Sequence, residues 1–95
     1  MSNIQNNVEV HILKMNFLEF LTSYLEGRTT LSMILKMSER IRARDTTTLS
    51  PSLISATTTL HKLKESIDRG EKMDTETVVN IVDDVVLSLT DRSKD

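Results

Sequence analysis

Three helix-interrupting residues divide this chain. Gly27 and Gly70 are its only glycines and Pro51 its only proline. They cut 95 residues into four stretches, and in each stretch apolar residues recur every three or four positions. That period puts apolar side chains on one face of a helix, whereas a half-buried strand needs strict alternation. A chain of this length makes one small domain.

In the first stretch Val10, Leu13, Phe17, Phe20, Leu21 and Tyr24 share one face, and Ile12, Met15, Leu18 and Leu25 widen it. The spacing predicts a helix over about residues 8–26. A helix apolar around so much of its circumference belongs at the centre of a bundle. Residues 1–7 are polar and expected to fray. Gly27 reads as the residue that ends this helix in the left-handed conformation. A second helix is predicted over 30–44, with Thr29 or Thr30 able to cap it. Leu31, Ile34, Leu35, Ser38 and Ile41 form its face, flanked by Met33 and Met37. Lys36, Arg40, Arg42 and Arg44 crowd its second half, where cations suit the helix dipole.

The sequence then spells TTTL twice, at Thr46–Leu49 and at Thr57–Leu60. Pro51 separates the two. It disfavours helix at Ser50 before it and suits the first turn of a helix after it. Ser50 is therefore an N-cap, with Leu49 and Ile54 placed as a hydrophobic staple. The first TTTL is a connector. The second lies inside a third helix, about 51–69, on the seam Leu53, Ala56, Leu60, Leu63 and Ile67. Gly70 stops that helix, and the start device recurs with Asp74 as cap and Met73 and Val78 as staple.

Residues 75–90 place Val78, Ile81, Val82, Val85 and Leu89 on one side, with Val79, Val86 and Leu87 widening it, and Asn80, Asp83 and Asp84 on the other. So many valines also suit a strand. The 3–4 spacing predicts a helix instead. The tail 91–95 is charged and expected to fray. The expected fold is all-α: a compact array or bundle of four short helices, without a second domain.

Phe17, Phe20 and Tyr24 are the only aromatics. A core built mainly of Leu, Ile, Val and Met implies modest stability, or help from a partner. With no cysteine, disulfides and thiolate chemistry are excluded. The opening MSNIQNNVEV has neither the basic nor the apolar region of a signal peptide. No apolar run approaches the roughly 20 residues of a membrane span. Together these favour a cytoplasmic setting. His11 and His61 read as ordinary helix histidines, and Lys62 beside His61 suggests a solvated face. Asp83 and Asp84 are adjacent, so on a helix they point about 100° apart and do not converge on one ion. There is no GxSxG, and the two glycines are occupied as helix stops, which leaves no phosphate-cradling loop. No catalytic residue, metal or cofactor is expected, and the chain does not read as an enzyme.

Two features point to partners. The first is charge polarity. Residues 28–44 carry five cations against one acid, and residues 74–95 carry six acids against two cations. The simplest use is internal, with basic helix two beside acidic helix four. The alternative is a small nucleic-acid-binding regulator using Lys36, Arg40, Arg42 and Arg44. The net charge of −2 argues against a general polyanion binder. The second feature is excess apolar surface on helices one and two. Met15, Phe17, Phe20, Tyr24, Met33 and Met37 are the candidate interface for a protein partner or a second copy.

The run from Ser50 to Thr90, through SPSLISATTTLHKL and MDTETVVNIVDDVVLSL, resembles the helical subdomain of the GAIN domain of adhesion receptors. That resemblance implies an interaction or scaffolding piece of a larger receptor ectodomain, in an extracellular setting. The β-sandwich subdomain that carries self-cleavage in that family has no counterpart here, nor do its cysteines and tryptophans. The resemblance therefore implies no cleavage activity and transfers no functional residue.

Overall fold

The computed structural model describes residues 2–44 and 49–90, with side chains in the first helix from Glu9 onward. Four helices follow one another: α1 Ser2–Leu25, α2 Leu31–Arg42, α3 Pro51–Asp68 and α4 Thr75–Thr90. No strand occurs among the described residues. The valine-rich segment 78–89 is helical throughout. The connector threonines Thr46–Thr48 and the tail 91–95 lie outside the described residues.

The punctuation behaves as its chemistry requires. Gly27 and Gly70 take φ of 80° and 81°, the left-handed region that a side chain disfavours. At each, two backbone bonds close the helix end. Gly27 N–H donates to Tyr24 O and Arg28 N–H to Ser23 O, and Gly70 and Glu71 repeat the pattern on Ile67 and Ser66. Helix starts are capped by side chains. Thr30 Oγ1 accepts from Met33 N–H at 3.3 Å, and Ser50 Oγ accepts from Leu53 N–H at 3.4 Å with Pro51 in the first turn. Asp74 Oδ1 accepts from Thr77 N–H at 2.8 Å. Leu49 and Ile54, the predicted staple of α3, line one small hollow.

One boundary departs from expectation. α1 begins at Ser2, ahead of residue 8. Polarity suggested fraying, but residues 2–7 contain neither glycine nor proline. Extending a helix that is already nucleated costs little.

Each helix packs against its chain neighbours, and α4 closes the ring against α1. The core is Phe17 and Leu21 from α1, Ile34, Leu35 and Ile41 from α2, Leu53, Ala56, Leu60 and Leu63 from α3, and Val78, Val82, Val85 and Leu89 from α4. Every one of these lay on a predicted face. The exception runs the other way: Ile67, predicted on the α3 seam, is more than a third exposed because it sits in the last turn. The second TTTL lies within α3, as its register requires. Thr57 is buried and returns its hydroxyl to Leu53 O at 2.9 Å, while Thr59 is exposed. Ser38 differs. It is buried in the middle of the α2 face, and its Oγ has no hydrogen-bond partner among the described residues.

Two predictions follow from these local arrangements. A buried hydroxyl without a partner costs about 1–3 kcal/mol, so Ser38→Ala should raise the urea-unfolding free energy by about 1 kcal/mol more than Ser32→Ala on the exposed face does. Equal gains would assign the effect to helix propensity alone. Asp74 is held below the ordinary carboxylate range by hydrogen bonds from Thr77, first its side chain and then its backbone N–H. Its stabilisation is therefore complete above the unfolded value near 4 and is lost as pH falls through the lower folded value. Asn keeps the capping oxygen without the titration. Below about pH 4 the melting temperature of Asp74→Asn should fall less steeply than that of the wild type.

Candidate functional site

The turn at Gly27 and the Thr30 cap bring α2 back alongside α1. α2 has 12 residues and α1 has 24, so α2 faces only the C-terminal half of its neighbour. There the helices leave a groove of about 330 Å³. α1 contributes Leu13 and Phe20. α2 contributes Met33, Met37 and Ile41, with Lys36, Arg40 and Arg44 interleaved. The interleaving follows from the helix itself. Residues three and four apart share a face, so 33, 36, 37, 40, 41 and 44 make one continuous wall. The groove has an apolar floor and a cationic rim.

Among the described residues, no carboxylate pairs with Lys36, Arg40 or Arg44. Glu39, the one acid of α2, turns the other way. Its Oε2 lies 3.1 Å from His61 Nδ1 on α3, and His61 Nε2 lies 3.6 Å from Glu65 Oε2. Arg28 pairs with Glu26 in the loop. Among the described residues, no ion pair joins α2 to acidic α4 as the charge pattern suggested. The ring places these helices across its diagonal, with α1 and α3 between them.

The predicted interface residues separate into three groups. Phe20, Met33 and Met37 meet in the groove. Tyr24 is half-buried and packs against the core without lining the groove. Phe17 is a correction, and Met15 lies apart from the groove. Phe17 is 0% exposed, the largest fully buried side chain, and so presents no surface to a partner. It points to the bundle axis, and Phe20, three positions on, is rotated toward α2. Met15 is 53% exposed, but on the side of α1 away from the core and outside the groove. Of the predicted cations, Lys36, Arg40 and Arg44 share the groove, while Arg42 is turned toward the hollow formed with Leu49, Ile54 and Thr57.

A second hollow lies between α2 and α3, at Leu35, Lys36, Lys64 and Ile67. One of its two lysines is already paired. Lys64 Nζ donates to Asp68 Oδ2 at 2.8 Å, which raises the lysine's pKa through that hydrogen bond and the carboxylate's charge. The α2–α3 bridge through Glu39 and His61 was not visible in the sequence, since its members lie 22 positions apart. His61 read there as a solvated helix histidine. Among the described residues, no group of three or more His, Asp or Glu side chains is placed to hold a metal ion. No helix among them is long and apolar enough to cross a membrane.

Comparison of the chain with protein-family models, with curated proteins and with solved structures found no match. The groove is therefore read from its own chemistry.

The division between Phe17 and Met15 is testable by stability. Truncating a fully buried phenylalanine leaves a cavity, so Phe17→Ala should lower the unfolding free energy by about 3–5 kcal/mol. Met15→Ala, on the outer face, should stay within about 0.5 kcal/mol of the wild type. Denaturant titration of both variants makes the comparison.

Proposed function

We propose that this protein is a non-enzymatic helical interaction module, and that its α1–α2 groove receives an acidic, amphipathic helix of a protein partner. One observation carries the reading: cations with no carboxylate partner among the described residues border an apolar groove in which Phe20, Met33 and Met37 stay partly open. A helix with an apolar stripe and flanking carboxylates satisfies both parts at once. Its stripe covers the floor, and its acids meet Lys36, Arg40 and Arg44. This is helix-in-groove recognition, in which spaced apolar anchors supply affinity and flanking charge sets orientation. Methionines suit it, because their unbranched side chains adapt to the surface they meet. The stems of the rim lysine and arginines extend the apolar wall while their charged ends remain in water.

The nucleic-acid alternative fits less well. Phosphate binding calls for a continuous cationic surface, and here methionines interrupt the cations while Arg42 is directed elsewhere. Stacking on single strands needs accessible aromatic faces, and the groove's one aromatic, Phe20, is half-buried.

Fluorescence anisotropy distinguishes the readings. The probes are a designed glutamate-flanked amphipathic helix, the same helix with lysines in place of the glutamates, and a DNA duplex. The acidic helix should bind, and the lysine helix and the duplex should not. Met33→Asp should weaken binding by at least roughly tenfold, the scale of a hot-spot loss. Thr59→Ala, on the exposed side of α3, should leave it unchanged. Equal losses from the two substitutions, or binding of the duplex alone, would overturn the proposal.

A further inference from the structure

α4 has an outer face that the fold does not use. Its core side is spent on Val78, Val82, Val85 and Leu89. Leu87, expected to widen the apolar side, stands on the opposite side instead and is 60% exposed, the most open of the large apolar side chains among the described residues. A single exposed leucine is ordinary on a protein surface. Its surroundings give this one meaning. Asn80, Asp83 and Asp84 share its side of the helix and are exposed, and Glu76 stands one turn further back. The result is one apolar knob among acids, the converse of the groove's apolar floor among cations.

The spacing corresponds as well. Lys36, Arg40 and Arg44 fall four positions apart, and so do Glu76, Asn80 and Asp84, with Asp83 beside the last. The α4 row covers about 12 Å of helix, while Arg44 lies just past the end of α2 at Arg42. Neither surface finds the other within one molecule. α4 lies across the ring from α2, and its acidic side faces outward.

We infer that the groove's partner is a second copy of this chain, whose α4 places Leu87 in the α1–α2 groove and sets Glu76, Asp83 and Asp84 against Lys36, Arg40 and Arg44. This names the occupant of the groove and rests on the docking reading above. The two surfaces differ, so each molecule carries one of each. Such a contact either closes on itself, as a two-fold pair or ring, or propagates as a chain. Charge steers the encounter, so assembly weakens as salt rises.

A charge exchange tests the inference on the full-length chain. Light scattering on a sizing column, over a concentration series at low and high salt, should give the wild type a mass at or above twice 10.8 kDa. That mass should fall toward the monomer in high salt. Arg40→Glu with Arg44→Glu makes the groove acidic, and Asp83→Lys with Asp84→Lys makes α4 basic. All four side chains are exposed, so both variants should keep the wild-type circular dichroism spectrum. Each variant alone should be monomeric, because its groove and its α4 then carry the same sign. Mixed one to one, they should recover the wild-type mass, since each groove now meets an α4 of opposite charge. Leu87→Asp should lose assembly while still binding the acidic designed helix. A wild type that is monomeric throughout overturns the self-association, and so does an assembling wild type whose exchanged variants fail to recombine. If the designed helix still binds in either case, the docking reading stands without it. If nothing binds, both fall.

Discussion

The valine side of α4 has to be covered, and the bundle is arranged around covering it. Val78, Val82, Val85 and Leu89 are buried against α1 and α3 together. β-branched side chains are mediocre helix formers, so this helix owes its stability to packing more than to propensity. Closing α4 between the first and third helices fixes the ring. It also decides where the charge goes. The most basic helix and the most acidic one end up on opposite corners, facing solvent in different directions.

The groove follows from the same arrangement. The small side chains Ser52 and Ala56 are buried on α3, which packs against α2. Small residues let helix backbones approach closely. Toward α1, α2 presents Met33, Met37 and Ile41, and the space between the helices is left as the groove. Glu39 completes the asymmetry. By turning to His61, it ties α2 to α3, and among the described residues no acid pairs with the groove cations on the other side of α2.

Much of this was legible in the sequence, and the reason is that the legible parts are local. A cap, a left-handed glycine and a 3–4 seam each depend on residues within a turn or two, so Thr30, Ser50, Asp74, Gly27 and Gly70 took their expected places. What was not legible depends on rotation and neighbours. Phe17 and Phe20 differ by only three positions, and nothing in their spacing says which one points to the axis. The Glu39–His61 pair joins helices whose adjacency only the fold establishes. The opposite charges of helices two and four suggested a contact, but complementary charge identifies possible partners without saying whether they belong to the same molecule. Half of the predicted interface gathered in the groove, because Phe20, Met33 and Met37 share the side on which α1 meets α2.

The composition of the core ties that groove to stability. Phe17 is the only aromatic side chain fully inside. Phe20, Met37 and Tyr24 pack against the buried cluster from its edge and remain partly open to water. Covering that edge would remove further apolar surface from water, at roughly 25 cal/mol per Å². A ligand that binds only the folded state stabilises it by mass action. Occupying the groove therefore extends the core rather than merely adding a contact to a finished surface. In a domain of this size, with so little aromatic volume inside, the proposed association would draw on the same apolar side chains as folding.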